Sequence, residues 1–277
     1  MSNAELPVTA ISSKPRLMPD FADAWRHRAL ATTLAWRNIK IRYRQTILGS
    51  LWIVLQPLLL TGVLTVVLGM FLSVPSGGLP YAVFAFSGTT IWSAFQRALS
   101  DAAISLASSG NIVQKVYFPR MLIPAAAVIA TVMDLLPVYA LLIVVVAAFG
   151  LFPGWVILAS PFFVLLALLM AFAIGLWMTV LDAVFRDIRL VTPSILQLLL
   201  YLSPVMYSET VVPDRWRALY GLNPLVGVIT GFRWSVVAGA QPPDLIGIAW
   251  ACVFVVLAAI SGLMLFARLE SFAIDRV

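Results

Sequence analysis

The side chains that could support catalysis are few and scattered in this sequence. Enzymes that hold a metal or activate a nucleophile cluster acidic, histidine or cysteine side chains. This chain has one histidine, His27, and one cysteine, Cys252, and only Asp134 places a carboxylate deep within an apolar stretch. The residue types therefore disfavour an intramembrane glycosyl or phosphoryl transferase, and we expect no catalytic residue and no metal ligand.

Asp134 is the ionisable residue with the strongest functional signal. An ionised carboxylate at the centre of a bilayer costs about 2.5 to 3.5 kcal/mol, so we expect Asp134 to be protonated, paired or exposed to water. A functional role and a structural hydrogen bond to a neighbouring helix both fit this position. Asp182 precedes Arg186 by four residues, the spacing of a helix-end ion pair.

The chain contains no phosphate-binding loop of its own. Such a loop requires the pattern Gly-x-x-x-x-Gly-Lys, and the three lysines, Lys14, Lys40 and Lys115, follow Ser, Ile and Gln. We therefore expect a partner protein to hydrolyse any nucleotide. An ion-coupled carrier would show paired repeats and several intramembrane ionisable groups, and neither is evident in the sequence.

A basic, aromatic segment covers residues 21–47. Its apolar residues recur about every 3.6 positions, which predicts a helix with one apolar face, and its cations fall on a neighbouring face. Such a helix is typical of the cytoplasmic membrane interface. Two interpretations fit: simple anchoring, and reception of an anionic lipid-linked substrate by Arg37, Lys40, Tyr43 and Arg44.

Two short cytoplasmic connections combine apolar, aromatic and charged residues. An apolar surface helix on such a loop is what docking into the groove of another protein requires. A solvated loop is the alternative for either connection taken alone. The predicted docking residues are Asn111, Lys115, Tyr117, Phe118, Arg120, Arg186, Asp187 and Arg189.

Aromatic residues make up 12% of the chain. Because sugars present apolar C–H faces, aromatic side chains can line a path for a glycan. The alternative is the aromatic belt that marks both interfaces of any membrane protein. The candidate pore residues are Trp52, Phe86, Trp92, Phe95, Trp177, Tyr201 and Tyr207.

Composition places these residues in a membrane protein. The chain is 62% hydrophobic and 11% charged, with a mean hydropathy of +1.00, values outside the range of soluble domains. A bilayer crossing requires about 20 apolar residues. We predict an all-α polytopic membrane protein with transmembrane helices at 50–72, 80–100, 121–149, 154–181, 190–207 and 244–267.

The distribution of basic residues predicts the orientation. All but three of the 18 Lys and Arg residues lie in the amino-terminal segment, two alternate connections and the carboxyl-terminal tail. These are therefore the cytoplasmic parts, and both termini are expected there. We expect residues 1–20 to form a flexible tail and residues 21–277 to form one transmembrane domain. The net charge of +6 then reflects contact with anionic lipid, and no nucleic acid partner is expected.

The segment 211–239 is too polar to span a bilayer and too apolar to extend into water. Pro213 suits a helix start and Gly221 a helix end, and a second helix restarts at Asn223 and Pro224 and continues to Gly239. Apolar stretches of about 10 to 14 residues are often re-entrant. We predict an external gate containing Pro213, Trp216, Asn223, Pro224 and Arg233.

Five separated motifs resemble those of one transporter family. They are Leu34–Pro57, Lys115–Arg120, Phe185–Ile188, Ser203–Tyr207 and Asn223–Pro224. Together they resemble the permease of polysaccharide-exporting ABC transporters, a type-2 ABC exporter family, and most of all the O-antigen export permeases. The likeness covers about residues 21–277. Asn38 departs from the family, which usually has an acid there.

The resemblance implies how the elements work together. The permease would be a homodimer in the bacterial inner membrane, with two copies of an ABC ATPase binding ATP and Mg²⁺ beneath it. Residues 21–47 would form the interface helix, the two basic connections would couple to the ATPase, and 211–239 would form the periplasmic gate. The substrate would be an undecaprenyl-diphosphate-linked polysaccharide such as O-antigen, with capsular polysaccharide and teichoic acid as alternatives.

Overall fold

The computed structural model describes residues 21–43, 48–109, 118–185 and 187–274, and within these ranges the regular elements are all helical. The helices are α1 Phe21–Arg26, α2 Arg28–Tyr43, α3 Trp52–Leu64, α4 Tyr81–Ala103, α5 Ser105–Ser108, α6 Leu122–Ala148, α7 Ser160–Val184, α8 Ile188–Tyr201, α9 Asp214–Gly221, α10 Pro224–Val236 and α11 Leu245–Ile274. A π-helical segment, Thr65–Phe71, continues α3, and a short 3-10 turn precedes each of α3 and α7. The all-α fold class is confirmed for these residues.

Within the described ranges, four stretches are long and apolar enough to cross a membrane. They are Gly49–Phe71, Leu122–Ala148, Gly154–Asp182 and Leu245–Arg268, and in length and composition they agree with the predictions for 50–72, 121–149, 154–181 and 244–267. Helix α4 does not reach the required apolar composition, and α8 has 14 residues. All six crossings stay predictions, and those at 80–100 and 190–207 lack this support.

Helix α4 lies at the centre of the bundle. It packs against α3, α6, α7 and α10, and most of its side chains are buried, including Phe86, Trp92 and Phe95. Its buried hydroxyls bond back to the helix: Ser87 donates to the Phe84 carbonyl, and Thr90 to that of Phe86. Because protein encloses α4 on several sides, it needs less apolar surface than the outer helices, which accounts for its composition.

Glycines allow the helices to approach one another closely. A Cβ atom at Gly175 of α7 would lie 2.7 Å from the Ala102 Cβ of α4, and one at Gly227 of α10 would lie 2.7 Å from the Gly247 carbonyl of α11. Contacts between small residues are a common means of packing helices in membranes, where no hydrophobic effect drives association. These contacts fix the position of α10 against the bundle.

The segment predicted as an interface helix forms α1 and α2, which are separated at His27. Residues 44–47 of that segment lie outside the described residues, and the interface role stays a prediction. The buried stripe of α2 consists of Ala31, Leu34 and Ala35, which pack against Leu122 and neighbouring residues of α6. The aromatic residues on the predicted apolar face are exposed, with Trp25 at 69% and Trp36 at 56%. Small side chains thus contact the protein, while the large aromatic side chains remain free to meet a membrane interface.

The segment predicted as a gate contains two short helices, α9 and α10. Pro213 immediately precedes α9, and Asn223 caps α10 because its Oδ1 accepts a hydrogen bond from the Leu225 backbone N–H at 3.0 Å. Proline also occupies the first position of α10. The turn residues therefore placed both helix starts correctly; only the carboxyl-terminal end differs, since α10 stops at Val236 and not at Gly239.

Candidate functional site

A buried charge network joins the interface helix to the bundle. Arg42 of α2 donates hydrogen bonds to the carboxylates of Asp134 in α6 and Asp101 in α4. Arg97 of α4 lies 3.2 Å from the same Oδ2 atom of Asp134, and the Tyr43 hydroxyl donates to Asp134 Oδ1 at 3.1 Å. Asp134 is only 4% exposed, and it is paired, as one of the expected alternatives proposed.

The network also reaches α3 and balances its own charge. Arg97 Nη2 donates to the Gln56 side-chain oxygen at 3.3 Å, so α2, α3, α4 and α6 meet at one point. Two guanidinium groups face two carboxylates, which offsets the cost of withdrawing each charge from water. The arrangement can hold these helices in one relative position, and it offers no unpaired base for proton transfer.

The residues predicted to receive a lipid headgroup separate into two groups. Arg37 is half-buried and Lys40 is exposed, with its ammonium 5.8 Å from the Trp36 ring centre. The Tyr43 hydroxyl, by contrast, takes part in the network with Asp134. Arg44 lies outside the described residues. Headgroup binding by Arg37 and Lys40 stays a prediction.

The predicted coupling residues are only partly within the described chain. Asn111, Lys115, Tyr117 and Arg186 lie outside it. Phe118 is 3% exposed and packs in the cluster that joins α2 to α6, and Arg120 is half-buried, whereas Asp187 and Arg189 are exposed. A buried apolar side chain therefore lies next to one connection, and exposed charged side chains lie at the other.

Asp182 pairs with an arginine that the sequence analysis did not single out as its partner. Its Oδ1 accepts a hydrogen bond from Arg189 Nε at 2.7 Å; Arg186 lies outside the described residues, so the pair predicted from the i,i+4 spacing stays a prediction. Since α7 ends at Val184 and the chain turns before α8 begins at Ile188, the first turn of α8 brings Arg189 back over Asp182. Asp182 is also buried, so Asp134 is not the only enclosed acid.

Arg233 holds α10 against two other elements. Its Nε donates to the Ser87 hydroxyl of α4 at 3.2 Å, and its Nη2 donates to the Pro204 carbonyl at 2.7 Å. The guanidinium carbon lies 3.8 Å from the Phe84 ring centre, and Arg233 is 5% exposed. Buried arginine stacked on an aromatic face is a strong, directional contact. This cation thus fixes α10 to α4 and to the end of the α8 turn.

Asn223 provides a second link, between the start of α10 and the residues that follow α8. Its Nδ2 atom donates to the Leu202 carbonyl at 3.0 Å and contacts the Ser203 hydroxyl at 2.9 Å, while its Oδ1 caps α10. The Ser203–Tyr207 and Asn223–Pro224 motifs are therefore in contact. Pro213 and Trp216 lie nearby on the exposed surface, with Trp216 at 50% exposure.

Comparison with known proteins places these features in a family. The family described as ABC-2 type transporter matches residues 29–237, most of the chain. The chain belongs to the ABC-2 type transporter family. The resemblance stated from the five motifs is thereby confirmed, and the several apolar spans are those of a multi-pass membrane protein.

Named relatives of this ABC-2 transporter chain match it either at low identity over most of its length or at higher identity over a shorter part. The O-antigen export system permease protein RfbA of Myxococcus xanthus is 27% identical over 255 residues, covering 91% of this chain and 96% of that protein. A protein of the same name from Klebsiella pneumoniae is 24% identical over 245 residues, covering 87% and 92%. The inner membrane transport permease YadH of Escherichia coli K12 is 38% identical over 103 residues, covering 37% and 40%.

The seven candidate pore aromatics of this ABC-2 transporter chain occupy different environments. Phe86, Trp92 and Phe95 are at most 2% exposed and fill the core around α4. Trp52, Trp177 and Tyr201 are exposed, and Tyr207 is half-buried with its hydroxyl bonded to the Tyr201 carbonyl. A pore at the surface of the protomer would meet only the exposed members, and the pore role stays a prediction for them.

Sequence reasoning did not single out Arg42, Arg97 or Asp101 as site residues. Arg42 and Arg97 had been counted only as cytoplasmic cations, although Arg97 lies within α4 and not in a loop. The available signal was Asp134 itself, because an acid in an apolar helix requires a cation nearby. Which cation would serve could not be read from spacing, since the partners lie 37 and 92 residues away.

Proposed function

We propose that this chain is the permease subunit of an ABC transporter that exports a lipid-linked polysaccharide across the bacterial inner membrane. The observation that carries the proposal is membership of the ABC-2 family together with near full-length similarity to proteins named O-antigen export permeases. A separate ATPase subunit binds ATP and Mg²⁺ and supplies the energy. O-antigen is the favoured substrate, and capsular polysaccharide and teichoic acid are the alternatives.

The working unit in this proposal is a homodimer of six-span permeases around a central path. Apolar surfaces of α3 and α8 support it, because Leu59, Val63, Leu198 and Tyr201 are each more than half exposed. Such surfaces need lipid or a second copy to cover them. Residues 21–277 form the transmembrane domain in each copy, and residues 1–20 form a cytoplasmic tail.

Coupling to the ATPases proceeds through the cytoplasmic face. Two ATPase subunits contact the connection that precedes α6 and the turn between α7 and α8. The Asp182–Arg189 pair ties that turn to α7, and Phe118 anchors the first connection to the cluster of α2 and α6. Movement at these contacts reaches α3 and α4 because the Asp134 network links all four helices as one unit.

Substrate enters from the cytoplasmic leaflet and leaves past the gate. The cations Arg37, Lys40 and Arg44 attract the diphosphate of the lipid-linked glycan, since basic groups at this surface favour anionic lipids. The sugar chain then passes between the two copies, in contact with exposed aromatic side chains. Helices α9 and α10 form the external gate, and Arg233 and Asn223 set its resting position.

Deletion of the gene in its host tests this function. We expect loss of one surface polysaccharide and accumulation of its lipid-linked form inside the cell, both restored by the wild-type gene on a plasmid. Gel analysis of surface glycans identifies which class is lost and so separates O-antigen from capsule and teichoic acid. Unchanged surface glycans in the deletion strain would refute the proposal.

A further inference from the structure

A polar cavity lies between the gate helices and the start of α11. Its volume is about 360 Å³, within the range of pockets that hold small ligands. The side chains that line it and carry polar groups are Glu209, Thr210, Arg217, Tyr220, Thr230, Gln241 and Asp244. The functions proposed above for the gate do not use these groups.

One of these side chains, Tyr220, has hydrogen-bonding capacity that the described residues leave unused. Its hydroxyl is buried and makes no hydrogen bond within them. A buried polar group without a partner costs about 1 to 3 kcal/mol, so a ligand that bonds to this hydroxyl would bind with that advantage. Beside it, burial raises the pKa of the Glu209 carboxyl, while the nearby Arg233 lowers it.

The other polar groups supply both donors and acceptors. Asp244 Oδ1 accepts the backbone N–H of Ile246 at 3.1 Å and so caps α11, which leaves its second oxygen for a ligand. The Thr230 hydroxyl donates to the Val226 carbonyl at 2.8 Å and keeps its lone pairs as acceptors. Arg217 and Gln241 add N–H donors. This mixture matches sugar hydroxyls, which both donate and accept.

The cavity wall is rigid and carries an aromatic ring. Gly227 and Gly247 line it where α10 and α11 touch, and a Cβ atom at Gly227 would lie 2.7 Å from the Gly247 carbonyl. The Tyr220 ring packs 6.3 Å from that of Tyr207. A preformed wall reduces the ordering that binding requires, and an aromatic ring offers a face for the C–H surface of a sugar.

The charge balance disfavours a metal ion. Arg217 lines the same cavity, and Arg233 borders an adjoining cavity of about 30 Å³ that shares Glu209, Thr230 and Gln241. Two guanidinium groups therefore accompany the carboxylates of Glu209 and Asp244. Calcium prefers six to eight oxygen ligands without competing cations, whereas a neutral polyol tolerates a site of balanced charge.

We propose that this cavity binds a short stretch of the exported glycan as the polymer leaves the external side of the permease. Glu209 and Asp244 accept hydrogen bonds from sugar hydroxyls, Arg217 and Gln241 donate to ring and hydroxyl oxygens, and Tyr220 contacts the sugar face and bonds through its hydroxyl. The proposal rests on the export function stated above, and it adds a sugar-binding site that belongs to the gate itself.

The test measures binding of an oligosaccharide to the complete permease–ATPase complex in nanodiscs. The probe is the oligosaccharide obtained by mild acid hydrolysis of the host's own surface polymer, followed by saturation-transfer NMR. We expect binding to the wild type and at least about tenfold weaker binding to the double variant Glu209→Gln, Asp244→Asn, in which Asn retains the helix cap. Arg215→Gln, on the exposed face of α9 and outside the cavity lining, is the matched control and should bind normally.

A second variant separates binding from folding. Tyr220→Phe removes only a hydroxyl that has no partner, so the unfolding temperature should stay the same or rise, while oligosaccharide binding weakens several-fold. Normal binding by Tyr220→Phe and by the double variant would overturn the inference, as would failure of the wild type to bind.

Further outcomes distinguish a cation site from a sugar site, and failure of the sugar site from failure of the export function. Calcium binding by the wild type that the double variant loses, without oligosaccharide binding, would identify a cation site and overturn the sugar-binding proposal. If the deletion strain loses its surface glycan while the cavity variants bind as the wild type does, the export function stands and only the sugar site is refuted. Unchanged glycans in the deletion strain would refute the export function itself.

Discussion

At the residue scale, Asp134 is the side chain on which the other groups of the buried charge network depend. It accepts from Arg42, Arg97 and Tyr43 at once, and it is almost fully buried. Removal of one partner from a buried ion pair leaves the other charges without compensation, which is more damaging than loss of the whole group. Asp134 therefore contributes to stability chiefly because, without it, the charges of Arg42 and Arg97 would lack a compensating carboxylate.

Asp134→Ala should lower the free energy of unfolding by about 3 to 5 kcal/mol. The comparison is Asp214→Ala, because Asp214 forms an ion pair of 3.0 Å with Arg217 whose side chains are 88% and 61% exposed, and such pairs contribute about 0 to 1 kcal/mol. Thermal unfolding of both variants in the same detergent, followed by tryptophan fluorescence, measures the difference. Equal shifts in unfolding temperature would contradict the structural role given to the network.

Residue-level prediction from the sequence succeeded where the chemistry is local. Asn223 was expected at a helix start, and it caps α10. The contact of Asp182 with Arg189 was not predicted, because an i,i+4 spacing assumes a continuous helix and the chain turns between these two residues. Long-range partners such as Arg42 and Asp134 carry no spacing signal at all.

At the element scale, the contact between α4 and α10 sets the position of α10, one of the two helices proposed as the gate. Gly88 of α4 lies where Arg233 of α10 crosses, and a Cβ atom there would be 2.6 Å from Arg233 Nη2 and 2.9 Å from the Val205 carbonyl. Backbone on one side and a constrained guanidinium on the other leave little room for adjustment. Glycine is required at this position by the close approach of the two elements.

Gly88→Ala should therefore lower the free energy of unfolding by about 1 to 3 kcal/mol, the usual range for overpacking a core. Gly62→Ala in α3 is the control, since its Cβ would meet no atom within 4 Å and alanine is favoured over glycine inside a helix by about 0.5 to 1 kcal/mol. Unfolding temperatures of the two purified variants should move in opposite directions. A Gly88→Ala protein as stable as Gly62→Ala would show that the gate is not held in this way.

The elements that were predicted best from the sequence are those whose ends are marked by proline, glycine or asparagine. Both gate helices begin where Pro213 and Pro224 suggested, and four apolar spans agree with prediction to within a few residues. Helix α4 matches its predicted range but not the expected composition, because its neighbours enclose it. Enclosure depends on how the whole bundle packs, which local pattern does not reveal.

At the scale of the whole molecule, the number of crossings depends on α4. If α4 crosses the membrane, the turn at Gly150 that follows α6 lies outside; if it does not, the same turn lies in the cytoplasm. The carboxyl terminus cannot distinguish these arrangements, because six crossings and the four apolar spans alone both return it to the cytoplasm. Gly150 is therefore the informative position.

Alkaline phosphatase fused after Gly150 should be active, since the enzyme folds only on the external side and six crossings place this turn there. A fusion after Gly77, which follows the first span, should be active in either arrangement and serves as the positive control. A fusion at the carboxyl terminus should be inactive, and a fluorescent protein at the same place should fluoresce. Activity at Gly77 without activity at Gly150 would rule out the six-span arrangement.

The pairing of two arginines with two aspartates should also limit how strongly these helices respond to membrane potential. Moving one elementary charge across 100 mV changes the free energy by about 2.3 kcal/mol, so helices that carry an isolated Asp134 or Arg42 would shift with voltage. The network formed by Arg42, Arg97, Asp101 and Asp134 has no formal net charge. If its four side chains move together, their displacement carries no net charge across the membrane. Conformational changes of these helices should then proceed equally in energised and de-energised membranes.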